Sequence, residues 1–323
     1  MSISPVRQLT RQESQKEIER LDLFILGGGG ILYDEDAETY LREVTLANEL
    51  NIPVVIYAIS AGPLKNPGVR IAVAEALDQV AVLTVRDKQG YRLLEDLGIK
   101  KQIQLTADPA LLIEPESLPI ETLIHEGVDF DRPLVGFSVR EPGPAAPHIS
   151  PTHYYRLLAN AADFIVDRLN ADIVFVPMEN VDIQHSHAVV ANMECSQRAE
   201  ILRRDYTSQQ ILSLIGRFEF SVGMRLHFLI FSALQGVPFV ALPYASKVTG
   251  FIQELEMEVP PLHNVDAGRL IASIDRSWDN RTEIKLKLKR LIPRLKSQAK
   301  KTNQLLVSEI EKRGLGSHLK KSA

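Results

Sequence analysis

Short apolar runs rich in β-branched residues alternate along the chain with segments whose apolar positions repeat at helical spacing. The pattern predicts eight strands, at residues 21–27, 52–60, 81–86, 103–107, 133–140, 171–178, 218–224 and 237–244. Helical patterns lie between them, at residues 37–50, 68–79, 88–97, 152–169, 207–216, 225–235 and 247–256. Strand and helix alternating in this way is typical of α/β proteins with parallel sheets and right-handed crossovers.

A stretch rich in Pro, Asp and Glu at residues 114–132 interrupts this alternation and is long for a connection between a strand and a helix. We therefore predict two Rossmann-like parallel-sheet domains rather than one closed barrel. The N-terminal domain would span residues 1–128, the C-terminal domain 129–275 and a helical tail 276–323. Because about twenty mostly polar residues precede the first apolar run, we expect the first domain to be shortened at its N-terminus.

Charge and composition narrow the class of protein. The chain has 323 residues, a net charge of −4 and no apolar stretch long enough to span a membrane, so we expect neither a membrane span nor general nucleic-acid binding. It lacks the apolar core of a secretory signal at its start, and Cys195 is its one cysteine, which indicates a cytoplasmic protein without a thiolate metal site. The tail is different, with fourteen lysines and arginines against four acidic residues.

Two segments of the first half are candidates for ligand contact. Gly28, Gly29 and Gly30 belong to a four-glycine run that follows the first apolar run, where backbone N–H groups can approach an anion or a sugar closely. The spacing differs from the dinucleotide-binding pattern GxGxxG. Ser60 and Gly62 end the second strand at its carboxyl edge, where open α/β sheets bind ligands. A turn that only steers the chain is the alternative for both.

The second half offers charged candidates. Ser138 and Arg140 end its first strand and alternate onto one face, which gives Arg140 a planar fork for a carboxylate or a phosphate; a surface arginine is the alternative. His185 and His187 suggest a metal site at first sight. Since two histidines at positions i and i+2 of a helix do not share a face, we predict no metal there.

The segment from residue 221 to 251 carries the densest pattern. Arg225 and His227 fall in the first turn of an apolar helix, whose unpaired N–H groups favour an anion. Tyr244 and Lys247 follow at the carboxyl edge of the next strand. Four polar or cationic residues therefore meet at the ends of two neighbouring strands, with a structural core histidine as the alternative for His227.

These segments together resemble the polysaccharide pyruvyl transferase family. The resemblance runs from about residue 22 to about residue 257, through LDLFILGGGGILYD, PVVIYAISAGPL, LTVRDKQGYRLLEDLGI, LTADPALLI, FVPMENVDIQHS and VGMRLHFLIFSALQGVPFVALPYASKVTGF. The last segment is the most specific, because RLH, AxxxGVP and YxxK occur in order. Family members usually begin with a glycine-rich strand carrying an Asn…Gly-Asp motif, which this sequence lacks.

The resemblance implies a GT-B-like arrangement of the two domains, with the acceptor on the first and phosphoenolpyruvate on the second. It also implies transfer of a pyruvyl group from phosphoenolpyruvate to two hydroxyls of a sugar in a cell-surface polysaccharide or its lipid-linked precursor, giving a ketal. The family's catalytic arginine and histidine fall on Arg140 and His227, with Arg225, Lys247 and Tyr244 as further ligands. No metal or organic cofactor is implied.

Phosphoenolpyruvate carries a phosphate and a carboxylate, which cations and a helix N-terminus would match, and ketal formation needs proton transfers that a histidine can perform. Two other functions stay open: a nucleotide-sugar glycosyltransferase on the same scaffold, and a truncated non-catalytic paralogue that binds an anionic sugar or a partner enzyme. In the tail, an apolar stripe at residues 283–313 with a basic flank predicts a helix, bent or broken at Pro293. We expect it to pack on the first domain, or to contact anionic lipid at the inner face of the membrane.

Overall fold

The structure is a computed structural model that describes residues 11–141, 149–242, 246–258 and 266–315. The chain divides into two compact units. Unit 1 comprises Met1–Pro109 and Lys296–Ala323, and unit 2 comprises Ala110–Leu295. Each unit is built around its own parallel sheet.

Unit 1 holds a four-stranded sheet in the order β1-β2-β3-β4. The strands are β1 (Phe24–Leu32), β2 (Val54–Ala61), β3 (Val82–Val85) and β4 (Ile103–Leu105). The helices are α1 (Arg11–Ile18), α2 (Ala37–Glu49), α3 (Pro67–Asp78) and α4 (Lys88–Asp96). Local chemistry sets where helices begin: the Asp87 carboxylate accepts the backbone N–H of Gly90 at 2.7 Å and caps α4.

Unit 2 holds a five-stranded sheet in the order β7-β6-β5-β8-β9. The strands are β5 (Leu134–Ser138), β6 (Asp172–Phe175), β7 (Ala199–Ile201), β8 (Phe220–Gly223) and β9 (Phe239–Ala241). The helices are α5 (Ile120–Ile124), α6 (Pro151–Leu169), α7 (Asp182–Val190), α8 (Ser208–Ile215), α9 (Leu226–Leu234), α10 (Ser246–Glu254) and α11 (Ala267–Asp279). Every residue of β5, β6, β8 and β9 is buried, as expected of a parallel sheet covered on both faces.

The predicted α/β class with two parallel sheets is confirmed, and all eight predicted runs overlap a strand. The division between the compact units lies at Pro109, and the predicted domain bounds stay predictions. The chain that follows Pro109 is tied to α8, because the N–H of Glu116 donates to the Gln209 carbonyl at 3.3 Å and a guanidinium nitrogen of Arg217 donates to the Leu118 carbonyl at 2.8 Å.

Two glycines allow α9 to lie close to the second sheet. A Cβ atom at Gly136 on β5 would stand 2.3 Å from the Phe218 ring and 3.1 Å from the Phe228 ring, and one at Gly223 on β8 would stand 2.5 Å from the Phe228 ring. Phe228 is fully buried. The first turn of α9 thus packs on the sheet where these two positions lack side chains.

The tail forms one helix, α12 (Arg281–Lys312), in which Pro293 is an interior residue. Part of its apolar stripe is buried, including Leu288, Leu295 and Ala299, whereas Leu286 and Val307 are 63% and 50% exposed. The helix is divided between the units at Leu295, so its second part groups with unit 1 and its first part with unit 2. Within the described ranges, no helix has the length and apolar character needed to cross a bilayer.

Candidate active site

The carboxyl edge of the second sheet gathers most of the charged residues singled out in the sequence. Strands β5 and β8 are neighbours, with Ser138 opposite Gly223 in register and the N–H of Met224 donating to the Ser138 carbonyl at 3.0 Å. The chain leaves both strands at this edge. Arg140 therefore follows one strand and Arg225 follows its neighbour, which is the juxtaposition that the strand pattern predicts.

Arg140 is anchored through its backbone and engaged through its side chain. Its carbonyl accepts the hydroxyl of Tyr154 at 2.9 Å, and its guanidinium pairs with the carboxylate of Glu141. The Arg140 side chain is 16% exposed, so it lies at the border between core and solvent. Tyr154 is buried, and burial raises its pKa well above the usual value, so this phenol keeps the proton that it donates.

Next to Glu141 lie His185 and Tyr155, whose contacts the local sequence pattern did not predict. Nε2 of His185 stands 3.7 Å from Oε2 of Glu141, and Nδ1 of His185 stands 2.7 Å from the Tyr155 hydroxyl. Burial raises the pKa of Glu141, the Arg140 guanidinium lowers it, and the net shift is downward. For Tyr155, burial and the Glu141 charge both raise the pKa. The arrangement favours a charged Glu141 beside a neutral Tyr155.

Arg225 meets two carboxylates of its own chain. Its terminal nitrogens donate to both oxygens of Glu179 at 2.7 and 2.9 Å, and its guanidinium also donates to both oxygens of Asp182 at 3.0 and 2.6 Å. Asp182 is fully buried and accepts the N–H groups of Met178 and Glu179 at 3.1 Å each. The sequence suggested a cation facing a ligand, whereas these contacts fasten the loop after β6 to the start of α9.

His227 lies just inside α9 and is exposed, although both of its chain neighbours, Leu226 and Phe228, are buried. This placement is unlike that of a core histidine. Lys247 is half-buried in the first turn of α10. Tyr244, the remaining candidate of this segment, lies outside the described residues.

Ser138 is placed differently from its sequence expectation. It is only 1% exposed, and among the described residues its Oγ has no hydrogen-bond partner. Alternation puts it on the same strand face as Arg140, but the strand is buried along its full length. Ser138 thus lies inside the sheet, two residues before Arg140.

Metal ligands are not grouped in the described part of the chain, which holds no cluster of three His, Cys, Asp or Glu side chains suited to an ion.

In unit 1 the candidate residues lie together on two adjacent strands. Gly30 is opposite Ser60 in register, and the N–H of Gly62 donates to the Leu32 carbonyl at 2.7 Å. The glycine run lies inside β1, which continues to Leu32, and does not follow the strand as we predicted. Gly28 and Gly29 have φ angles of +96° and +102°, which only glycine adopts readily.

The sequence of this chain is similar to that of known proteins over a region that includes both sheets. A model of the family "Polysaccharide pyruvyl transferase" matches residues 4–246. The amylovoran biosynthesis protein AmsJ of Erwinia amylovora is 21% identical over 295 residues, covering 87% of this chain and 71% of that protein.

Solved structures of sugar-nucleotide enzymes share the fold. The UDP-GlcNAc 2-epimerase of Neisseria meningitidis, solved with UDP-GlcNAc, has a TM-score of 0.62 at 11% identity, over 95% of this chain and 83% of its own. The α,α-trehalose 6-phosphate synthase of Burkholderia multivorans has a TM-score of 0.59 at 11% identity, over 97% and 75%. The predicted GT-B-like class is thereby confirmed. With its family match extending through both sheets, the chain belongs to the polysaccharide pyruvyl transferase family and is a transferase of polysaccharide biosynthesis.

Proposed function

We propose that this transferase moves a pyruvyl group from phosphoenolpyruvate to two hydroxyls of one sugar in a cell-surface polysaccharide or its lipid-linked precursor, forming a cyclic ketal. The supporting observation is that Arg140 and His227 follow neighbouring strands at one sheet edge. Arg140 lies at the border of the core, and His227 is exposed between buried neighbours. An anion-binding fork beside an accessible acid–base group is what this chemistry requires.

The donor brings two anionic groups, and unit 2 supplies partners for them. Arg140 would take the carboxylate or the phosphate through its planar fork. Lys247, in the first turn of α10, and the N-terminal N–H groups of α9 would take the other. Arg225 would contribute indirectly, because its contacts with Glu179 and Asp182 fix the start of the helix that carries His227. Tyr244 and Ser138 remain candidates from the sequence alone.

The reaction balances without a redox partner. A first sugar hydroxyl bonds to C2 of phosphoenolpyruvate while C3 takes a proton and becomes a methyl group. The oxygen of a second hydroxyl then bonds to C2, the bond from C2 to the phosphate oxygen breaks, and inorganic phosphate leaves with that hydroxyl's proton. His227 is assigned to these proton transfers, since an imidazole titrates near neutrality. Neither a metal nor an organic cofactor enters the proposal.

Unit 1 is assigned to the sugar acceptor. Gly28, Gly29 and Gly30 expose backbone groups along an edge strand, and Ser60 and Gly62 lie on the adjacent strand. Backbone N–H and C=O groups without side chains suit a polyhydroxyl ligand, which can both donate and accept hydrogen bonds. The acceptor would reach a cytoplasmic enzyme on a lipid carrier. The exposed lysines of α12, Lys300 and Lys301 among them, would provide a peripheral contact with anionic lipid.

Calorimetric titration separates this proposal from the alternatives. Phosphoenolpyruvate should bind the wild-type chain, and UDP-glucose and UDP-GlcNAc should not. Binding of a UDP-sugar without phosphoenolpyruvate would instead indicate a glycosyltransferase. Binding of neither, together with binding of a pyruvate-free oligosaccharide, would indicate a non-catalytic sugar-binding chain. Arg140→Ala is the matched control, since it removes the proposed donor contact at the sheet edge.

A further inference from the structure

Four side chains, from the segment after β5, α6 and α7, form a series of contacts that ends at the proposed donor site. The Arg140 guanidinium pairs with Glu141, Oε2 of Glu141 faces Nε2 of His185 at 3.7 Å, and Nδ1 of His185 lies 2.7 Å from the hydroxyl of Tyr155. The rings of Tyr155 and His185 are stacked with centroids 6.0 Å apart. Arg140 with Glu141 and His185 with Tyr155 are within hydrogen-bond distance, and the Glu141–His185 separation of 3.7 Å is slightly longer.

The hydroxyl of Tyr155 sets the direction of these contacts. Burial and the Glu141 charge raise the pKa of Tyr155, so its hydroxyl keeps a proton, which it can donate to Nδ1 of His185. Nε2 of His185 then carries the ring proton on the side of Glu141. His185 thus offers Glu141 a hydrogen-bond donor once that carboxylate leaves Arg140.

Glu141 is more exposed than the residues on either side of it in this series. Its side chain is 39% exposed, whereas those of Arg140 and His185 are 16% and 10% exposed. A carboxylate of the protein therefore occupies the guanidinium that we assign to an anionic donor, and it lies where solvent reaches it.

We propose that Glu141 is an internal anion that occupies Arg140 until the donor arrives, and that His185 holds Glu141 once Arg140 has exchanged partners. This inference rests on the proposed function, which places the donor's anionic group on Arg140. It makes Glu141 a competitor of the ligand and His185 a positioning residue. Removing the two side chains should therefore change anion affinity in opposite directions.

The charges around His185 agree with this assignment. Glu141 and Arg140 face it from the chain after β5, and Tyr155 faces it from α6. Asp182, one turn earlier on the same helix, is already paired with Arg225. Glu141 is thus the acidic partner that the described contacts give to the imidazole.

The test is anion binding by the full chain, measured calorimetrically with phosphoenolpyruvate and, separately, with sulfate, which keeps its charge across the range in which histidine titrates. Glu141→Gln should tighten binding of both anions by about threefold, and Arg140→Ala should abolish that gain. His185→Gln should weaken binding by a similar factor. The matched control is Glu219→Gln, whose carboxylate is 40% exposed and pairs with Arg281 at 3.2 Å elsewhere in unit 2.

A double variant adds a readout that a purely structural role would not change. In the Glu141→Gln background, the further change His185→Gln should leave sulfate affinity unaltered, because His185 acts on Arg140 only through Glu141. Sulfate binding that is tightened by Glu141→Gln, without phosphoenolpyruvate binding, would overturn the proposed function and leave this inference standing. Unchanged or weaker binding of both anions by Glu141→Gln, or no binding of either anion by any variant, would overturn the inference.

Discussion

The carboxyl edges of the two sheets are built from different groups. In unit 1 the edge presents glycine backbone on β1 beside Ser60 of β2, which is buried, and the charged pair of Arg86 with Asp108 has side chains only 6% and 11% exposed. In unit 2 the same edge carries Arg140, Glu141 and Arg225, with His227 exposed beside them. One edge offers neutral hydrogen bonding, and the other offers charge and a titratable group.

Under the proposed function, this difference would let one architecture serve two unlike substrates. Parallel strands deliver loops to the same edge in both sheets, so the fold alone does not decide which ligand binds where. A neutral, polyhydroxylated acceptor would match backbone groups, and an anionic donor would match the arginine side chains. Substitutions at either sheet edge test this difference.

The largest expected effect comes from removing the imidazole at the charged edge. His227→Gln should lower phosphate release from phosphoenolpyruvate in the presence of acceptor by about 10²–10⁴-fold. Because His227 is exposed, the melting temperature should stay within a few degrees. His187→Gln changes another exposed histidine of unit 2 and should leave both quantities unchanged. Equal losses in the two variants would remove His227 from the chemistry.

The charged edge should also depend on one buried carboxylate for its stability. Asp182→Asn leaves the Arg225 guanidinium without its fully buried partner and should lower the free energy of unfolding by about 3 kcal/mol. Glu179→Gln alters the other partner, whose side chain is 60% exposed, and should cost less than about 1 kcal/mol. Denaturant titration measures both. Similar values would show that the buried pair does not hold this edge together.

Donor binding should require the fork geometry of Arg140. Arg140→Ala should weaken phosphoenolpyruvate binding more than tenfold, since a charge-assisted contact contributes about 1.5–3 kcal/mol. Arg140→Lys keeps the charge but loses the planar fork, and should give intermediate affinity in calorimetry. Full affinity in the alanine variant would move the donor away from this strand.

A smaller effect is expected at the neutral edge. Gly29→Ala introduces a side chain at a φ of +102° with no atom within 4 Å of the new Cβ, so it should lower the free energy of unfolding by about 1 kcal/mol through backbone strain alone. Gly98→Ala matches it, with a φ of +74° and equally open space in unit 1. Only Gly29→Ala should weaken acceptor binding, while phosphoenolpyruvate affinity stays unchanged. Equal acceptor binding by both variants would contradict the assignment of unit 1.

The smallest effect concerns the membrane. Because Leu288, Leu291, Ile292, Leu295 and Ala299 of α12 are buried and its lysines, Lys300 and Lys301 among them, are exposed, we expect any lipid contact to be mainly electrostatic. Cosedimentation should show binding to vesicles with anionic lipid at low salt, loss at high salt, and weaker binding by Lys300→Glu with Lys301→Glu. Absence of binding at low salt would leave α12 with a packing role alone.

Strong apolar periodicity made most of the fold predictable. Buried parallel strands read as continuous apolar runs, which is why every predicted run overlaps a strand. Strand β7 (Ala199–Ile201) was missed because Glu200 lies within it and Arg198 and Arg203 flank it, so no apolar run marks it. The glycine run was placed after β1 for a related reason: glycine has no side chain, so the hydrophobic pattern stops at Leu26 while the backbone pairing continues to Leu32.

The residues at the edge of the second sheet were predictable only in part. The places of Arg140, Arg225 and His227 follow from strand ends and helix starts, which mark that edge, and their roles stay predictions. The carboxylates paired with Arg225 stand 43 and 46 positions away in sequence, so no local pattern connects them. His185 and His187 looked like one pair, yet His185 is buried beside Glu141 and His187 is exposed. Tertiary packing alone separates them.

The two glycines beneath α9 have a consequence for reading variants of this chain. Gly136 and Gly223 contact no proposed substrate, and what they contribute is space: the Phe218 and Phe228 rings occupy it at Gly136, and the Phe228 ring and a methyl group of Leu229 occupy it at Gly223. An alanine at either position would press on the Phe228 ring, and so on the first turn that carries His227. In a mutational scan these positions would score like active-site residues while the protein remained folded and able to bind anions. A map of the positions that do not tolerate substitution would thus include the surface on which α9 packs as well as the candidate site residues.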